Sequence, residues 1–193
     1  MPRREVLIMA MTRMRSGICT AGFITDPDPL THHRWVRPVK EFGTLLLGDM
    51  TDAAGRVVQT GDVVELNLLQ PRPVLPHCED WSTDFIKQRP RLLRQLTEQK
   101  RADFLANHAD VVPADVLLNH TRSLCLVHPS DLWAHFSRDS YTGEYKAKIG
   151  FCLPTLDPTV TDPHNGLAVT DLKWRARGRT WRSEEHTSEL QSQ

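Results

Sequence analysis

The residues best suited to chemistry in this chain are aromatic and cationic rather than catalytic. Trp35 and Arg37 stand two apart in Arg34-Trp35-Val36-Arg37-Pro38-Val39, a short extended run ended by proline. On a strand, alternate side chains share a face, so Trp35 and Arg37 would project together, with Arg34 and Val36 opposite. A ring with an arginine beside it can stack a base and hold a phosphate, and each stacked base contributes about 1–3 kcal/mol. Arg13 and Arg15, in the polar stretch after the first apolar run, would extend that surface. A second group, Lys173, Trp174 and Arg175, opens a run to Trp181 that is dense in cations and tryptophan, as an electrostatic groove with stacking platforms would be. Each patch has a structural alternative. Trp35 could fill a core while Arg37 pairs with Glu79 or Asp80; Trp174 could join a core with Leu172 while the cations solvate an edge strand.

Catalytic constellations are absent from the sequence. His77-Cys78-Glu79 has the H-x-E form of zinc deaminases, but no P-C-x-x-C follows to complete a ligand set. There is no G-x-S-x-G elbow, phosphate-binding P-loop or G-x-G-x-x-G turn. A zinc site assembled in space from Cys19, His77 and Cys78 is a remote third reading; buried free thiols acting as small apolar groups are the default. The expectation is therefore no enzyme, no cofactor and no metal.

The elements that must position these residues are mostly strands. Val6 to Met11 and Ile18 to Ile24 are apolar runs of strand length, and Asp26-Pro27-Asp28-Pro29 is a turn. Arg34 to Val39 and Asp62 to Leu69 follow as strands, with Gly48 to Gly55 between them as loop. From Trp81 the composition changes. Ser82 to His108 carries Phe85, Leu92, Leu93, Leu96, Phe104 and Leu105 at roughly helical spacing, which predicts a helix starting at Pro90, with its cations on a solvated face. Asp115 to Leu118 adds a further turn. Strand patterns return at Ser123–Val127, Tyr145–Leu153 and Ala168–Trp174.

Charge and cysteine usage bound the function. The 24 basic and 24 acidic residues cancel, which excludes a strongly basic nucleic-acid binder but not a local basic patch. Four cysteines lie far apart, with no C-x-x-C pair. They read as free thiols of a reducing, cytoplasmic compartment. Arg3-Arg4 and the run after them are too short for a signal segment, and no stretch approaches the roughly 18 apolar residues of a membrane span.

The segments Val6–Arg13, Gly17-Ile18-Cys19-Thr20-Ala21-Gly22 and Arg34–Val39 together resemble the opening of the dual OB domain family. Gly61-Asp62-Val63-Val64 is similar to its third strand and Pro76-His77-Cys78-Glu79-Asp80-Trp81 to its exit into a linker. Leu124–Val127 and Val169–Trp174 resemble the opening and a late strand of its second barrel. One departure is His77-Cys78, where the family carries glutamine or a similar residue before the glutamate. The resemblance implies a mainly β chain with a helical insert: two OB-like barrels in tandem, the second incomplete. The units would be a first barrel at 4–80, a connector at 81–120 and a truncated barrel at 121–181. OB barrels bind oligonucleotides or oligosaccharides on the strand 2–3 face, so the expectation is non-catalytic binding of single-stranded nucleic acid. The alternative is a protein-interaction or scaffold module. Residues 182–193 are expected to be foreign and disordered, because a common sequencing-adapter DNA read in frame gives Arg-Ser-Glu-Glu-His-Thr-Ser-Glu-Leu-Gln-Ser, identical to Arg182–Ser192.

Overall fold

The run Val6–Met11 does not alternate with polar residues, and the computed structural model shows why: the strand it forms is covered on both sides. The structure describes residues 3–27, Pro29 and residues 34–180. Trp181, the adapter-like tail and part of the Asp26–Pro29 turn lie outside the described residues. The chain is mostly β and divides into two units, Met1–Val127 and His128–Gln193.

The first unit is a curled seven-stranded sheet. Its strands are β1 (Arg4–Arg13), β2 (Ile18–Ile24), β3 (Trp35–Val39), β4 (Asp62–Leu66), β5 (Leu68–Pro71), β6 (Asp80–Thr83) and β7 (Arg91–Gln95), in the order β5-β6-β3-β2-β1-β4-β7. Neighbours are antiparallel except β3 and β6, whose parallel register sets Arg37 opposite Asp80. On the inner face Val6, Ile8, Val36, Val64 and Leu66 are buried together with Met50, Val58 and Leu68. On the outer face one cross-strand row, Trp35–Phe23–Leu7–Val63, runs over β3, β2, β1 and β4. Phe104 of α1 (Glu98–Asn107) and the side chains of Leu93, Leu96, Leu124 and Leu126 cover that row.

The helix expected from Pro90 is shorter and begins later. Residues 91–95 form β7, because Leu92 pairs with Val64 and Arg91 with Glu65 along β4, while Leu93 packs on the outer row. Pairing and burial override the good helix propensity of Leu, Arg and Gln. The helix starts only after Thr97, whose hydroxyl accepts the Lys100 N–H. The turn expected near Asp115 is present as α2 (Ala114–Leu117). Ser123–Val127 is not a strand but an extended segment tied down by carboxylates. Glu79 Oε1 accepts the Ser123 N–H at 2.9 Å and its hydroxyl at 2.6 Å, and Asp110 pairs with Arg122 and accepts the Leu126 N–H at 2.7 Å.

The second unit holds a three-stranded sheet, β8 (Ser130–Arg138), β9 (Tyr145–Cys152) and β10 (Leu167–Ala168), in the order β10-β9-β8. The strand expected over Ala168–Trp174 ends at Ala168 and residues 172–180 are helical (α3). Asp171 decides this: its carboxylate accepts the Trp174 N–H at 2.7 Å, an N-cap that stops the strand and starts the helix. Among the described residues no helix is long and apolar enough to cross a membrane.

Candidate functional site

Trp35 is not a surface platform. It is only 7% exposed, its ring meets Phe23 edge-on at 4.5 Å between centroids, and Phe23 in turn meets Phe104 and His108 of the helical layer. The outer side of β2 and β3, where an OB barrel normally takes its ligand, is occupied by the chain's own insert. Arg37 is also committed. Its Nε and Nη2 donate to the two carboxylate oxygens of Asp80 at 2.6 and 3.0 Å, and its backbone N–H donates to the Glu79 carbonyl. Burial works against the Arg37 charge, but the Asp80 hydrogen bond and charge outweigh it and hold the guanidinium more firmly protonated than usual. Both residues thus take the placement of the core alternative, Trp35 in the core and Arg37 paired with Asp80.

One open feature of this unit is a rim of loops. Gly17 lets the β1–β2 loop close on the loop after β3: a Cβ there would stand 2.3 Å from the Leu45 carbonyl oxygen, and Ile18 N–H donates to that same oxygen at 2.8 Å. The Ser16 and Thr44 hydroxyls add a second tie at 3.2 Å. Between these loops lies a cleft of about 330 Å³ lined by Met14, Cys19, Arg37, Lys40, Thr44 and His77, among others. Arg13 and Arg15 flank Met14, are exposed, and make no ion pair with a described residue. Lys40 is held by Asp49 at 3.1 Å. Phe42, on the loop that bounds the cleft, is 82% exposed. Sequence reasoning missed Phe42, since a single phenylalanine in a loop carries no periodic signal.

Cys19, on the lining of the cleft, is held towards its protonated thiol form. Burial pushes the Cys19 thiol up; Arg37 pulls against this, while Asp80 and Glu79 reinforce it. A thiol kept protonated is a poor nucleophile. Among the described residues no three His, Cys, Asp or Glu side chains converge to hold a metal ion, so Cys19, His77 and Cys78 do not form the zinc set considered from sequence.

The C-terminal patch is also largely spent on packing. On α3, Trp174 lies 5.9 Å from Phe136 between ring centroids. Arg175 donates to the carbonyls of Tyr145 and Val169 and sits over the Tyr145 ring, with Arg179 over the same ring. Lys173 faces solvent. These residues lie on a helix rather than at the end of the expected strand, so successive side chains turn around its axis.

A curled sheet, a helical insert and a second small sheet is the arrangement implied by the motif order, and the family model of the dual OB-containing domain matches residues 4–186. The chain belongs to the dual OB domain family. No curated protein and no solved structure gives a significant match. In this dual OB protein the first unit is therefore an OB-type module whose customary ligand face is filled from within.

Proposed function

We propose that this protein binds single-stranded nucleic acid, without catalysis, through the loop rim of its first unit. The observation that carries the reading is that Arg13 and Arg15, exposed and without an ion pair to a described residue, flank Met14 on the lining of one cleft, while Phe42, 82% exposed, adjoins Gly43 on the same lining. The ring supplies a stacking surface and the arginines supply phosphate contacts. A narrow, loop-bounded cleft favours splayed bases over a duplex. Four free thiols favour a reducing, cytoplasmic setting.

Two phosphate contacts on a single strand give a slope of log K against log salt of about −1.4. Affinity for a labelled mixed-sequence 12-mer, followed by fluorescence anisotropy, will fall roughly sevenfold between 50 and 200 mM salt. Arg13→Ala with Arg15→Ala will flatten that dependence, and Phe42→Ala will weaken binding roughly 5- to 150-fold, the loss of one stacked base. No binding at 50 mM salt, or binding indifferent to all three substitutions, refutes the proposal. A protein-interaction role is the second reading, favoured by Val74 and Leu75, 69% and 72% exposed on the turn after β5.

A further inference from the structure

The sheet of the second unit has one covered face and one open face. Directly opposed residues share a face, so Phe136–Ala147 and Arg138–Tyr145 lie on one side, and the α3 residues Trp174 and Gly178 pack there against Phe136. The other side carries three successive rows: Trp133 opposite Gly150, His135 opposite Lys148, and Ser137 opposite Lys146. His135, Lys146 and Lys148 are exposed and Trp133 is half-buried.

Trp133 is held flat against this face. A Cβ on Gly150 would stand 2.2 Å from its Cε2, and one on Gly166 would stand 2.6 Å from its Cη2, so bare backbone on β9 and just before β10 is what lets the indole lie down. Its Nε1 donates to the Pro163 carbonyl at 2.6 Å, which fixes the ring in its plane. A tryptophan laid over glycines can be purely structural. Here its neighbours on the same face are solvent-exposed cations rather than an apolar layer, and Asp139, near the far end, is taken up by Lys146 at 2.7 Å. Lys148 donates one of its three protons to the Asn165 carbonyl and keeps two to give.

We infer that the Trp133–His135–Lys148 face is a second binding platform for single-stranded nucleic acid, with a base stacked on the immobilised indole and a phosphate beside Lys148. An aromatic that is already rigid loses little freedom when a base settles on it, and the adjoining ammonium complements the phosphate. The ligand class rests on the reading proposed for the first unit; the location does not.

The test uses the full chain with Arg13→Ala, Arg15→Ala and Phe42→Ala, which removes the first rim. This protein is expected to retain salt-dependent binding of a 4-thiouracil-substituted 12-mer and to cross-link through the tryptic peptide spanning residues 123–138. Trp133→Ala will then weaken binding roughly 5- to 150-fold. Lys148→Ala, at an exposed position that leaves the fold intact, will reduce the salt slope by about 0.7. Cross-links confined to the first unit in the parent chain, with Lys148→Ala silent, overturn this platform while the nucleic-acid reading stands. No binding by the parent chain overturns both. Quenching of tryptophan fluorescence by a soluble oligosaccharide but not by the oligonucleotide, lost in Trp133→Ala, overturns the ligand class.

Discussion

Trp35→Ala separates a core role from a binding role because the two give opposite readouts. The ring is 7% exposed and packs edge-on against Phe23 in the row that Phe104, Leu124 and Leu126 cover. Truncating a buried tryptophan to alanine costs about 3–5 kcal/mol. With an unfolding entropy of about 2.1 cal/mol/K per residue, spread over the unit Met1–Val127, this lowers Tm by about 11–19 °C. Circular dichroism melting of the full chain measures the shift, and oligonucleotide anisotropy well below the variant's Tm measures binding. The expected pattern is a large loss of stability with affinity within about twofold of the parent chain, since stacking losses run from about 1 kcal/mol upward. A variant that melts within a few degrees of the parent but has lost its affinity would show that Trp35 meets ligand, and the burial argument would fail.

Two further outcomes follow from the ion pairs. Arg37→Ala strands Asp80 half-buried and will cost about 3 kcal/mol in urea unfolding, whereas Arg37→Lys keeps the charge but loses the two-pronged geometry and will cost about 1–2 kcal/mol. Asp139 sits on the β8–β9 turn, where the Lys146 hydrogen bond, then the backbone N–H groups of Thr142 and Tyr141, hold its carboxyl well below the usual carboxylate range. A depressed folded pKa stabilises above the unfolded value and is lost on acidification. The Tm advantage of the parent over Asp139→Asn will therefore be full at pH 7 and shrink progressively below about pH 4; an advantage that grows on acidification would refute the assignment.

The opening strands were legible because their apolar runs are unbroken and their turn chemistry is strong. Legibility failed where a distant partner decided the outcome. Arg91–Gln95 has the composition of a helix, and only the register with Val64 and Glu65 makes it a strand. Asp171 interrupts an apparently continuous strand pattern, and its capping role becomes visible only with the Trp174 N–H placed on it. The Trp35–Arg37 pair has the spacing of a binding face, but burial of Trp35 depends on Phe104 and Leu124, contributed from far along the chain. Arg13 and Arg15 remain exposed, as the sequence suggested, because a two-sided loop tie holds their backbone at the surface and no described carboxylate pairs with them. Trp133 was overlooked for a related reason: its partners are two glycines, and a missing side chain leaves no mark in a hydrophobic pattern.

The outer cover of the first unit also carries a cost in time. Phe23 and Trp35 are synthesised early, but Leu124 and Leu126, which help to close over them, emerge about 85 residues after β3, some 4–17 s later at ordinary translation rates of about 5–20 residues per second. Once β4 has been made, a four-strand row of apolar side chains waits for Leu124 and Leu126 to complete its cover. Release of the chain after β7 but before Leu124 would leave the sheet's strands complete and their aromatic row short of its cover, a species prone to aggregate.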